Sequence, residues 1–349
     1  MPLRRLQRHR RRGQDGRRRD RGAALMRPFT LTAPRSVPEA LDQAAGGGAY
    51  LAGGTTLVDL MKLDVTAPGR VVDIGGLPLT GIERDGDGLR IGALERMADV
   101  AAHDLVARHQ PMISATLLQS ASPQIRQMAS IGGNLLQRTR CGYFRDTAVP
   151  CNKREPGTGC PALNGENRSH AVLGTSDSCV AAHPSDLAVA LAALDASLVL
   201  RDRTGERRMR LTDFYLLPEN APHRENRLRP GELIVAVTVP DLDRAARRSA
   251  YVKVRDRASY EFALTSAAVA LDVRGGRIRD ARVAAGGVGT RPWRLPVVER
   301  ALRGARPDET SFEAAATRAA DGARPLRHNA FKPALLRRTI VRALLEASS

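Results

Sequence analysis

Thiol chemistry is the first thing the sequence offers. Cys141, Cys151, Cys160 and Cys179 are the four cysteines of the 349-residue chain, spaced C-x9-C-x8-C-x18-C within 39 residues. Four readings fit that spacing. Two disulfides need an oxidising compartment, and no apolar h-region of a secretory signal follows the basic N-terminus. Structural zinc usually shows at least one short C-x2-4-C knuckle, which is absent here. Unligated thiols are common, but four gathered in one loop go against coincidence. An iron–sulfur cluster takes four thiolates at its corners, and these can come from well-separated loop positions. A cluster would also order the stretch 137–181, which has Pro150, Pro156 and Pro161 and little periodicity; so long a loop inside a compact domain needs something to hold it.

Glycines make the second constellation. Ala52, Gly53, Gly54, Thr55 and Thr56 follow a predicted strand and precede a predicted helix. Backbone amides and hydroxyls placed there can approach a phosphate. This is neither a Walker loop nor the Rossmann G-x-G-x-x-G, and a lone Gly-Gly turn is most often structural. A second turn, Ser130, Ile131, Gly132, Gly133 and Asn134, sharpens the reading to a grip on a pyrophosphate from two sides. Among polar residues, Asp186 follows His183, Pro184 and Ser185 at a helix start, where N-terminal capping is the ordinary role. Lys253 and Arg255 share one face of a predicted strand; solvated edge charges are the ordinary reading and a cofactor contact the sharper one. No Ser/His/Asp or Cys/His nucleophile set stands out among the seven scattered histidines. The residues suit a cofactor holder better than a hydrolase.

The elements that must position these groups follow from patterning. A short strand at 29–32 precedes a capping box, Ser36 to Glu39, that opens a helix to about 45. Strands at 49–51 and 71–74 flank the first glycine turn, whose helix is marked by Leu57, Leu60 and Met61. A hairpin is expected over 81–93, helical text over 97–107 and 112–118, and a further apolar helix over 186–194. Strands at 198–200, 208–211 and 233–239 follow. Beyond a charged boundary near 243–248, three strands (251–254, 261–273, 278–283) precede helices at 312–320 and 333–346, an α+β order.

Composition limits the partners. The formal charge is +18, but ten arginines against Asp15 and Asp20 put +8 of it in residues 1–25 and leave +10 for the rest. That block reads as a disordered arm, or as a start assigned too early with Met26 the natural beginning. Only 3% of residues are aromatic, which argues against a nucleic-acid reader built on stacking. No apolar run of about 18 residues exists, so no transmembrane helix is expected.

Taken together, these motifs resemble the FAD-binding (medium) subunits of the molybdenum hydroxylases, over about residues 26–349. The resemblance implies an α+β fold: a two-subdomain FAD-binding domain of the PCMH type at 26–247, then a C-terminal α+β domain at 248–349 with a three-stranded antiparallel sheet and helices. Stretches 138–146 and 150–154 are similar to the branch of bacterial periplasmic aldehyde oxidoreductases in which 137–181 is an insertion holding a 4Fe-4S cluster, with Cys141, Cys151, Cys160 and Cys179 as ligands. For FAD the resemblance implies Ala52, Gly53, Gly54, Thr55, Thr56 and Leu57 in one turn, Ser130, Ile131, Gly132, Gly133 and Asn134 in the other, and also Ser122, Asp186, Ile234 and Lys253. Lys253 would lie near the flavin ring. Such a subunit carries electrons from a large molybdenum-cofactor subunit and a small 2Fe-2S subunit, through FAD, to an external acceptor. It binds no nucleic acid and does not insert in a membrane. Its location is cytoplasmic, or periplasmic as the folded passenger of a partner with a twin-arginine signal. Phe262 and Ala263 depart from the Asp-Ala pair of many relatives. The competing reading is a zinc-stabilised, non-catalytic interaction protein with a basic surface.

Overall fold

The capping signals at 36–39 do what they predict: the Ser36 side chain accepts the Glu39 N–H at the start of helix Val37–Ala44, and Glu39 reaches back to the Arg35 N–H. This helix lies beside three short parallel strands, β1 (Thr30–Thr32), β2 (Ala49–Leu51) and β3 (Arg70–Asp73), in the order β1-β3-β2. The computed structural model describes residues 26–241 and 248–349. The arginine-rich segment 1–25, expected to be disordered, lies outside these residues, as does most of the charged boundary.

A five-stranded antiparallel sheet forms the second layer. Its strands are β4 (Ile82–Asp85), β5 (Gly88–Gly92), β6 (Ser197–Asp202), β7 (Gly205–Arg210) and β8 (Leu233–Val239), in the order β4-β5-β8-β6-β7. Apolar β8 sits at its centre, as a strand buried on both faces should. Short helices from 97 to 135 share its core with helix Asp186–Ala193. All eight residues of that helix are buried. It is apolar all round because it packs against helix Pro111–Gln119 as well as the C-terminal sheet.

The C-terminal sheet has four strands rather than the expected three: β9 (Ser249–Val254), β10 (Thr265–Arg274), β11 (Arg277–Gly286) and β12 (Trp293–Arg294), in the order β12-β11-β10-β9. The extra strand is two residues long, too short to leave a period-2 signal. The strand expected from 261 starts at Thr265; residues 261–264 precede it and line a cavity instead. Helix Lys332–Ser348 packs on β9 and β10, where buried Thr339 and Thr265 hydroxyls meet at 2.7 Å. The helix expected over 97–107 breaks at His103, whose ring accepts the Leu105 N–H and starts a new helix, Asp104–His109. Within 137–181 regular structure is confined to helix Gly142–Arg145 and a single 3-10 turn, Pro161–Leu163.

Candidate cofactor-binding site

The first glycine turn runs from the end of β2 to helix Leu57–Lys62. A Cβ on Gly53 would lie 1.7 Å from the Met128 carbonyl oxygen, so the backbone of this turn touches the segment leading into the second turn. Gly54 has φ +72°, a conformation glycine adopts without cost. The N–H groups of Gly53, Gly54, Thr55 and Thr56 meet no protein acceptor among the described residues. Thr56 caps its helix without a side-chain hydrogen bond, which leaves its hydroxyl for a ligand.

The second turn is built differently from its expected role. The Gly132 N–H donates to the Ala93 carbonyl at 2.8 Å, and the Gly133 N–H to the Ser130 hydroxyl at 3.2 Å. These glycines matter for space: a Cβ on Gly132 would stand 3.0 Å from the Ala93 Cβ. The second turn is therefore a close-packed wall, and the free amides belong to the first.

Between the turns lies a cleft of about 270 Å³, which Ala52, Gly53, Gly54, Thr55, Thr56 and Leu57 line on one side. Ser130, Gly132, Gly133 and Ile234 line it on the other. It continues past Thr55 and Thr56, shared by both, into a second cleft of about 420 Å³ that reaches Asn134, Asp186 and Lys253. Two expected contacts fall outside both clefts. The Ser122 hydroxyl caps helix Pro123–Met128 by accepting the Ile125 N–H, and the Ile131 side chain is buried in the core.

At the far end Asp186 is not the helix cap. Ser185 is: its hydroxyl accepts the Ala188 N–H and donates to the Asn134 side-chain oxygen at 2.6 Å, tying the second turn to this helix. Asp186 instead receives the Lys253 ammonium at 2.7 Å and the Tyr251 hydroxyl at 2.6 Å. The Lys253 side chain is 1% exposed, so the solvated-edge reading fails. Tyr251 and Lys253 share one face of β9 and Arg255 follows directly after the strand; Lys253 and Arg255 both reach the Gln119 carbonyl, as their expected common face requires. Burial and the Asp186 carboxylate push the Tyr251 phenol well above its ordinary range. Lys253 lines this cleft with its ammonium paired to Asp186.

Sequence reasoning missed the charge that does line this end. Asp59 takes both Arg140 at 3.0 Å and Arg145 at 2.7 Å. Two guanidiniums on one carboxylate leave net positive charge where the insertion meets the first glycine helix. No sequence signal joins residues 81 and 86 positions apart.

All four cysteines line one small cavity beside this end. None is disulfide-bonded. Nearby backbone N–H groups, of Tyr143 and Phe144 for Cys141 and of Ala162, Leu163 and Val180 for Cys160, favour the thiolates. Burial pushes the Cys141 thiol up to about 11 despite these donors, and raises Cys160 and Cys179 as well. Among the described residues no group of three or more Cys, His, Asp or Glu is arranged to hold a single metal ion. The loop is held by polar ties instead: Glu225 takes Arg138 and Lys153, and Arg154 donates to the Tyr143 and Phe144 carbonyls. His170 stands 3.1 Å from the Cys141 sulfur through Nε2. Burial, then the Lys332 ammonium, holds its pKa down to about 4.

Residues 27–259 match the FAD binding domain in molybdopterin dehydrogenase, and residues 249–347 the CO dehydrogenase flavoprotein C-terminal domain. The chain is 46% identical over 327 residues to the aldehyde oxidoreductase FAD-binding subunit PaoB of Escherichia coli (strain K12), covering 92% of this chain and 99% of that protein. It is 28% identical over 279 residues to the glyceraldehyde dehydrogenase medium chain of Sulfolobus acidocaldarius, covering 79% and 81%. In fold it is similar to a chain of reconstituted CO dehydrogenase from Oligotropha carboxidovorans, with a TM-score of 0.72 at 23% identity, covering 92% and 99%. Two adjoining family matches that span the chain, on a fold with its clefts where the glycine turns meet, place this protein among the FAD-binding medium subunits of the molybdenum hydroxylases, as one subunit of an oxidoreductase.

Proposed function

We propose that this chain holds FAD along the two joined clefts and a 4Fe-4S cluster among its four thiols. In this reading electrons arrive from a molybdenum-cofactor subunit and a 2Fe-2S subunit and leave through FAD to an external acceptor. The observation that carries it is the unpartnered run of amides at Gly53, Gly54, Thr55 and Thr56, set where the two clefts join. Amides without acceptors at a helix start suit the diphosphate of a dinucleotide. FAD, when bound, supplies the two-electron redox chemistry that no side chain of this protein can.

The chain's own residues then have separable tasks. Thr55 and Thr56 hydroxyls join the amides on the diphosphate. Ile74, Leu233 and Ile234 give an apolar wall to one end of the cofactor. Arg140 and Arg145, sharing Asp59, would place positive charge at the other end, which would favour a reduced, anionic cofactor. The Asp186–Lys253 pair fixes the floor by joining helix Asp186–Ala193 to β9.

The thiols fit a cluster by donor chemistry. Four free cysteines around one cavity make a cage for inorganic iron and sulfide. The raised pKa values of Cys141, Cys160 and Cys179 mean that a cationic core must draw off their protons. A zinc-stabilised, non-catalytic interaction protein does not accord with the family to which the chain belongs. The visible spectrum of anaerobically purified protein, with FAD, iron and labile-sulfide analysis, tests the reading. Flavin bands with iron and sulfide in equal amounts are expected; colourless protein containing zinc overturns it.

A further inference from the structure

One ligand of the cage has a side-chain neighbour that the proposed function does not use. His170 is 5% exposed and its Nε2 stands 3.1 Å from the Cys141 sulfur. Its other ring nitrogen, Nδ1, is buried with no hydrogen-bond partner among the described residues. A ligating thiolate can only accept, so the hydrogen must sit on Nε2, and Nδ1 is then a bare lone pair. That tautomer is also the cheaper one, because a buried N–H without an acceptor costs more than an idle acceptor.

The ring is held from behind by the C-terminal domain. Lys332 is fully buried, and its ammonium donates to the carbonyls of Ser169 at 3.1 Å, His170 at 2.9 Å and Gly287 at 2.7 Å. The His170 N–H is bound by the Asn167 carbonyl at 3.0 Å. A backbone clamped at both its N–H and its carbonyl fixes where the ring points. Cys141 and His170 also line a cavity of about 190 Å³ that touches Arg140, Asp186 and Phe262, residues of the 420 Å³ cleft. Of the four thiols, Cys141 is the one that lines this cavity as well.

We infer that His170 is the positioning residue that sets the reduction potential of the cluster, by donating its Nε2–H to the Cys141 sulfur. The inference rests on the cluster reading above. A hydrogen bond to a ligating sulfur withdraws charge from it and favours the reduced form. The couple involved is one electron onto the cluster; the imidazole keeps its proton and no bond breaks. Lys332 keeps the donor aimed.

The test uses the full chain, purified anaerobically with its accompanying subunits, and compares it with His170→Phe and His170→Gln. Midpoints are read by redox titration of the cluster absorbance, alongside iron, sulfide and FAD content. With iron content unchanged, His170→Phe should shift the cluster couple about tenfold toward the oxidised form, which is about 59 mV lower for one electron. His170→Gln, which keeps an N–H donor, should recover part of that shift. An unchanged midpoint in an iron-replete His170→Phe protein overturns the inference while leaving the cluster reading intact. Absence of iron from the wild-type protein overturns both. If His170→Phe loses its iron, pulsed EPR of the reduced wild-type cluster with 15N-labelled histidine decides: a nitrogen coupling supports the hydrogen bond, and its absence overturns it.

Discussion

The glycine trough and the thiol cage lie side by side and are built in opposite ways. The trough is made of backbone. Its walls extend from strand ends and helix starts, and it rests on two large apolar cores. The cage is made of side chains on a stretch with almost no regular structure. The apolar cluster at that place holds only Leu60, Phe144 and Cys151 as buried members. Charge does the holding there, with Asp59 and Glu225 each gripping two cations. A site drawn in backbone is complete once the chain has folded. In the reading proposed above, a site drawn in thiols on an irregular loop is completed by what it binds, since binding and folding share one free energy.

The hardest blow to the trough alone is Lys253→Met. It leaves the Asp186 carboxylate buried without its cation, at a cost of about 3–5 kcal/mol. Chemical denaturation should show that loss, while iron per folded chain stays at the wild-type level. A loss under about 1 kcal/mol, the range of exposed pairs, would mean that this end of the trough is wet. Gly53→Ala strikes the middle of the trough. The added methyl would meet the Met128 carbonyl at 1.7 Å, so the turns must part. At the upper end of the usual 1–3 kcal/mol for overpacking, FAD binding should weaken about a hundredfold. Flavin-fluorescence titration reads this. Unaltered affinity would show that the two turns do not form one site.

Acid should separate the regions from the other side. Burial works against ionisation of Glu225, but Lys153 and Arg138 outweigh it and hold its pKa below the ordinary value. A group whose pKa falls on folding stabilises the fold above its unfolded pKa, about 4.3. That stabilisation is lost as pH drops through the lower, folded value. Between about pH 4.5 and that point the cage segment should therefore loosen, losing roughly 2 kcal/mol for hydrogen bonds to a charged group. Limited proteolysis within 137–181 measures it, and Glu225→Gln should abolish the pH dependence. Identical acid sensitivity in the Glu225→Gln protein would assign the loosening to another group.

The same contrast explains what was legible in the sequence. Gly53, Gly54, Gly132 and Gly133 were visible as turns because their residue types are local facts, and the cysteines were visible by their gathering. Even so, composition could not say that the second turn spends its amides on Ala93 and Ser130. Ser122 and Ile131 sit beside the clefts in sequence yet face a helix end and the core. The period-2 face of β9 was readable, but its partner Asp186 lies 67 residues from Lys253 and had to be met in three dimensions. Asp59 was hidden altogether, because an acid in a first helical turn reads as a dipole partner. Strand β12 was lost for want of length. What patterning misses here is long-range pairing of polar groups, and that is what joins the insertion to the fold.

The finest test concerns the hydroxyl that binds trough to core. Ser185 does two things with one oxygen: it accepts the Ala188 N–H at 3.0 Å and donates to Asn134 at 2.6 Å. Removing an N-cap costs about 1 kcal/mol, so Ser185→Ala alone should lower stability by that amount. If the bond to Asn134 also steadies the second turn, FAD affinity should fall a few-fold in Ser185→Ala and in Asn134→Ala. It should fall scarcely further in the double variant, because both changes break one link. Fully additive losses would show that Ser185 serves only its helix. The trough would then owe its shape to the glycine contacts alone.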